Sequence, residues 1–123
     1  SLSNSGKGIK LYQSTHCSLT GNLCKSNSDG IYLQGSIADT DICRYNTIAG
    51  NVCASYSSSG IELNSYSQKN VVTGNTNTST DNTTDSIVLT GTDPDHNCVV
   101  GNIADNGITD NGANNLLEHN ITS

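Results

Sequence analysis

The 123-residue chain has no Phe, Trp or Met and one Pro, and its aromatic content is 4%. At 33% hydrophobic, the composition is too poor for an ordinary globular core and borders on that of disordered chains. Positive charge is scarce as well. Five Lys and Arg face eleven Asp and Glu, giving a net charge of −6 and a pI near 4.6. No basic patch is present, which argues against nucleic acid as a partner. No apolar run approaches membrane-spanning length, so membrane insertion is not expected. No signal peptide is visible, and Ser1 already opens inside a repetitive pattern. The chain therefore reads as a mature product or an excised fragment. No CxxC spacing occurs, which argues against zinc. No segment carries apolar residues at helical spacing over two turns.

What is present is a repeat. Gly8-Ile9-Lys10-Leu11 returns as Gly30-Ile31-Tyr32-Leu33, Gly60-Ile61-Glu62-Leu63, Ser86-Ile87-Val88-Leu89 and, degraded, Gly107-Ile108-Thr109-Asp110. A second phrase alternates with it. Leu19-Thr20-Gly21-Asn22 returns as Ile48-Ala49-Gly50-Asn51, Val72-Thr73-Gly74-Asn75, Val99-Val100-Gly101-Asn102 and Leu117-Glu118-His119-Asn120. A fixed period of about 20 to 30 residues is the signature of a solenoid, in which each unit packs on its neighbours. The regular placement of Ile, Leu and Val thereby argues against disorder. At this length the chain is a single domain, residues 1–123.

The first phrase alternates apolar and variable positions, the period of a strand with one buried face. Ile9, Ile31, Ile61, Ile87 and Ile108 form one inward column, and Leu11, Leu33, Leu63 and Leu89 form another. Lys10, Tyr32, Glu62, Val88 and Thr109 form the outward column. In the second phrase Gly permits a sharp bend. The Asn after it recurs in every unit as Asn22, Asn51, Asn75, Asn102 and Asn120, a structural ladder of stacked amides. Asn46, Asn70, Asn97 and Asn115 form a second ladder, with Cys17 at the equivalent place in the first unit. These patterns predict an all-β solenoid of parallel strands in about five coils.

The GIxL phrase followed by NxIxGN resembles the right-handed parallel β-helix repeat of the pectate-lyase-like superfamily. It is most similar to the short repeats of carbohydrate-binding and sugar-hydrolase proteins and of viral tail spikes. The resemblance spans about residues 7 to 122 and rests on structural positions, so it specifies fold more than function. Members of that superfamily are usually longer, which favours a fragment or C-terminal part of a longer protein, although the last phrase reads as a natural end.

Chemistry is expected where the repeat is interrupted. The coil-two excursion carries Asp39, Asp41 and Arg44, and the coil-four excursion carries Asp93, Asp95 and His96. Excursions on one side of neighbouring coils approach each other, so these six are the candidate catalytic set. The resemblance implies paired aspartates with a His for hydrolysis, or acidic calcium ligands with a basic residue for elimination. Characteristic hydrolase and lyase motifs are absent, and solvated turns explain the same residues. No resident metal or other cofactor is expected, calcium being the one the lyase resemblance implies. Tyr12, Tyr32, Tyr45 and Tyr66 are the candidate carbohydrate platforms, since an aromatic plane beside polar groups suits a saccharide. Tyr56 is placed in a loop.

Two further features concern packing and partners. Cys24 and Cys53 hold equivalent places in adjacent units, as small residues stacked inside the solenoid or as a disulfide between coils. Leu23, Val52, Ile103 and Ile121 form an aliphatic column beside them. It points outward as a contact for another chain, or tucks inward and leaves the cysteines at the rim. Three Asn-x-Ser/Thr sequons, at Asn77, Asn82 and Asn120, are expected by chance in so Asn- and Thr-rich a chain. The resulting expectation is a β-helical part of an extracellular or virion protein that contacts cell-surface polysaccharide, with a homotrimer as its assembly. A polysaccharide lyase or glycoside hydrolase is the alternative, and a structural spacer the third reading.

Overall fold

The computed structural model describes residues 5–36, 41–79 and 85–122. Coil one contains β1 (Lys7–Tyr12), β2 (Ser18–Thr20) and β3 (Leu23–Lys25). Coil two contains β4 (Asp29–Gln34), β5 (Cys43–Arg44), β6 (Thr47–Ala49) and β7 (Val52–Ala54). Coil three contains β8 (Ser59–Leu63), β9 (Ser67–Gln68), β10 (Val71–Thr73) and β11 (Thr76–Thr78). Coil four contains β12 (Ile87–Leu89), β13 (Cys98–Val100) and β14 (Ile103–Ala104). Coil five contains β15 (Ile108–Asp110), β16 (Leu116–Glu118) and β17 (Ile121–Thr122). Equivalent strands stack into three five-stranded sheets: β1-β4-β8-β12-β15, β2-β6-β10-β13-β16 and β3-β7-β11-β14-β17. Their pairings are parallel. The chain is a right-handed parallel β-helix of five coils.

The inward columns form as the alternation requires. Ile31, Ile61 and Ile87 are in register, as are Leu33, Leu63 and Leu89, and all are fully buried with Ile48, Val72 and Val99. Each such side chain contributes about 1.5–3 kcal/mol of apolar burial. At the ends, Ile9, Leu11, Leu19, Ile108 and Leu117 are only partly covered, since nothing among the described residues stacks beyond them. Asp110, which interrupts the leucine column, is exposed in the last coil.

Both amide ladders are present and run in one direction. Asn51 donates its Nδ2 to Asn75 Oδ1 at 3.0 Å and to Leu19 O at 2.9 Å, and its backbone N–H also reaches Asn75 Oδ1. The same triad recurs at Asn75 and Asn102. Asn46, Asn70 and Asn97 repeat it in the second ladder, and Cys17 joins through its backbone N–H alone. The residue before each ladder position is left-handed. Gly21, Gly50, Gly74 and Gly101 serve the first ladder with φ between 62° and 70°, and His119 takes the place in coil five. His16, Tyr45, Lys69, His96 and Asn114 serve the second, with φ between 54° and 58°. The outward aliphatic column is resolved in favour of exposure: Leu23, Val52, Ile103 and Ile121 face solvent, while Cys24, Cys53 and Ala104 lie inside.

Candidate functional site

Two polar patches stand out on this frame. The first lies on the outer face of the first sheet. Strict alternation would turn Asp29 inward, beneath Tyr32. The strand bends instead at Gly30. A Cβ there would fall 2.6 Å from the interior Cys53 Sγ, so Gly30 and Ile31 both face the interior. Asp29 is thereby placed on the outer side with Tyr32. It pairs with Lys7, accepts Ser59 Oγ at 2.6 Å and accepts Ser28 Oγ at 3.1 Å. Ser59 Oγ also lies 3.3 Å from Glu62 Oε2, and Asn64 Nδ2 donates to Glu62 Oε1 at 2.5 Å. One hydroxyl therefore bridges two carboxylates from adjacent coils.

Their environments push the two carboxylates apart. Burial raises the proton affinity of Asp29, but the Lys7 ammonium and the Ser59 and Ser58 hydroxyls outweigh it and hold the carboxyl below its ordinary value. Burial, with the adjacent Asp29 charge, pushes Glu62 above its ordinary value against the opposing Asn64 hydrogen bond. Tyr32 is pushed up by burial and by both carboxylates. Lys7 Nζ lies 4.4 Å from the Tyr32 ring centroid, and Lys10 Nζ lies 5.5 Å from it and 5.1 Å from that of Tyr12. Of the predicted platforms here, Tyr12 is half exposed, whereas Tyr32 is covered and only 9% exposed.

The second patch follows the corner between the first and second sheets. β5 pairs with β9, and single bridges continue the row as Thr15–Arg44, Gln68–Asp95 and Asp95–Ala113. The left-handed residues next along the chain form an adjacent exposed row, His16, Tyr45, Lys69, His96 and Asn114. Tyr45 is 44% exposed, and three groups surround its ring: His16 at 5.2 Å between centroids, Arg44 at 5.5 Å and Lys69 at 5.8 Å. Asp95 accepts a hydrogen bond from Asn114 Nδ2 at 3.1 Å and lies 2.8 Å from His96 Nδ1. Slight burial opposes these contacts, which still hold its carboxyl below the ordinary value.

The predicted catalytic set is only partly assembled. Arg44 and Asp95 occupy one row but are separated by Gln68, hence by about 10 Å, two strand spacings. His96 joins Asp95, not Arg44. Asp93 lines a groove of about 330 Å³ between residues 91–95 and 111–113. Asp41 is elsewhere, its carbonyl accepting the Ser36 N–H, and Asp39 lies outside the described residues. Tyr66 is half-buried at a left-handed position. Tyr56 lies in the loop between β7 and β8, as its place in the sequence suggests, but is buried there, with its hydroxyl 2.6 Å from Ser86 Oγ. Of the sequons, Asn77 is buried, Asn120 belongs to the first ladder, and Asn82 lies outside the described residues.

Fold and surface together define a parallel β-helix of the pectate-lyase-like kind, with polar and aromatic columns on its flank. A model of the NosD family, described as "Periplasmic copper-binding protein (NosD)", matches residues 1–123, and the chain belongs to that family. No curated protein and no solved structure matches it. The family's name raises copper, and the residues present do not fit it. Among the described residues, no group of three or more His, Cys, Asp or Glu side chains is placed to hold a metal ion. The chain has no Met, and its three histidines are engaged separately, with Tyr45, Asp95 and Glu118.

Proposed function

We propose that this chain is a recognition segment that binds polysaccharide along its corner column, with Tyr45 as the platform. The observation behind this reading is the exposed Tyr45 ring bordered by His16, Arg44 and Lys69. An apolar plane rimmed by hydrogen-bond donors suits a sugar ring and its hydroxyls. Tyr12, half exposed beside Lys10, adds a second contact on the neighbouring face. The namesake's periplasmic setting agrees with a chain acting outside the cytoplasm. The virion setting rests on the sequence resemblance alone. Calorimetric titration with neutral, uronate-bearing and sulfated oligosaccharides tests the reading. Saturable binding that Tyr45→Ala weakens about tenfold or more is the expected outcome. Absence of saturable binding to all three classes overturns it.

A second reading draws on the Asp29–Ser59–Glu62 bridge. Two carboxylates with opposed proton affinities are the arrangement that general acid–base cleavage of a glycoside uses. On this reading Glu62→Gln keeps the fold and loses polymer cleavage, and Asp95→Ala tests the corner in the same way. The exposed aliphatic column is proposed as the contact of a homotrimer.

A further inference from the structure

We propose that Cys24 and Cys53 form a reversible disulfide that staples coil one to coil two. The two residues are direct partners in the β3–β7 register, and both are buried in the interior as free thiols. Paired strands bring Cα atoms to about 4.8 Å, within the range a disulfide spans. Both side chains lie in the same interior column, one directly above the other. Space behind Cys53 is closed by the Gly30 backbone, where even a methyl group would collide with the sulfur. Closing the bond needs a small approach of coil one toward coil two. Among the described residues Ile9, Leu11 and Leu19 of coil one are only partly packed, which leaves room for that approach. Interaction between the two thiols lowers Cys24 and, with burial, raises Cys53. In the proposed exchange Cys24, the thiol held lower, attacks first.

The oxidant is a small-molecule disulfide, and the exchange balances. Cys24 thiolate attacks one sulfur of that disulfide, forms a mixed disulfide and releases one thiolate. Cys53 loses its proton and attacks the Cys24 sulfur, forming the protein disulfide and releasing the second thiolate. Two electrons pass from the pair to the oxidant, and the two protons leave to the released thiolates or to solvent. Access to the buried sulfurs comes through transient opening between coils one and two.

The folded chain is incubated with oxidised glutathione, quenched in acid, unfolded, and alkylated with a maleimide for mass analysis. Three alkylated cysteines in place of five, with a linked peptide pair containing Cys24 and Cys53, is the expected result. The thermal midpoint should rise by roughly 10 °C and fall back on reduction. Cys24→Ala supplies the control, since Ala104 occupies the same interior column. It should retain the fold by circular dichroism, and the rise should vanish. Five alkylated cysteines after prolonged oxidation of the folded chain overturn the proposal. A link through Cys17, Cys43 or Cys98 overturns it equally.

Discussion

Each interior ladder asparagine performs three tasks at once: it donates to the next amide, donates to a carbonyl of the preceding coil, and accepts from the coil before it. Asn75 does all three while 1% exposed. Asn75→Ala should therefore cost about 3 kcal/mol, because it also strands the buried donors of Asn51. Asn120 accepts the same two donors from buried Asn102 but donates only to Val99 O, so Asn120→Ala should cost somewhat less, and urea unfolding of the two variants makes the comparison. Glu62 gives a prediction of opposite sign. Its carboxyl is raised in the folded protein above the ordinary 4.5, so the stability it contributes is present below that pH and is lost as pH rises through the folded value. Glu62→Gln should be more stable than the parent at pH 7, with the advantage lost as pH falls through the raised folded value toward 4.5. An advantage that does not vary with pH would show that burial of the charge is not its cause.

At the level of the element, the strands are short and the bends between them decide the shape. The two bends that flank the second sheet use a left-handed residue followed by a ladder position. One column solves this with Gly, the other with His, Tyr, Lys and Asn. A side chain in that region costs about 1–2 kcal/mol, partly offset by the smaller entropy that a non-glycine residue loses on folding. Gly74 has φ of 62° and open space where a Cβ would point, so Gly74→Ala isolates the backbone cost. It should destabilise by about 1 kcal/mol, whereas Lys69→Gly at φ 54° should stabilise by up to about 1 kcal/mol. Thermal unfolding of both reads the two signs directly. The strain retained at Tyr45 and Lys69 sits in the row proposed to meet saccharide, which agrees with strain collecting at functional positions.

The whole molecule behaves as a stack whose middle is tighter than its ends. Interior aliphatic side chains of coils two to four are fully buried, while Ile9, Leu11 and Leu19 of coil one and Ile108 and Leu117 of coil five are partly open. Amide exchange should follow this order, with protection highest at Ile48, Ile61 and Val72 and lowest in β1 and β17. Uniform protection along the axis would mean that the ends are capped in solution by another chain. The exposed column of Leu23, Val52, Ile103 and Ile121 gives such a chain a lateral surface. Light scattering over a range of concentrations should show a trimer. Replacing Val52 and Ile103 by Ser should shift the mass toward that of one chain without changing the β-sheet signal. A parent already monomeric at every concentration removes the homotrimer proposal.

The interior columns, both amide ladders and the coil count were legible in the residues, because a parallel solenoid decides each of them by local alternation and by repetition of one residue type. Ile31 and Asn75 need no knowledge of distant contacts to be placed. The candidate binding surface carries a weaker signal. His16, Tyr45, Lys69 and His96 share no chemistry, and although each directly precedes a second-ladder position, only the left-handed bends of successive coils turn them outward side by side. Asp29 was hidden for a related reason: period-two alternation turns it inward, and only the close packing of Gly30 against Cys53 reverses it. The one-dimensional pattern thus determined which residues lie inside. The tertiary structure decided which outer residues meet, because those contacts run between coils, across 20 to 30 residues of chain, and depend on where each coil bends.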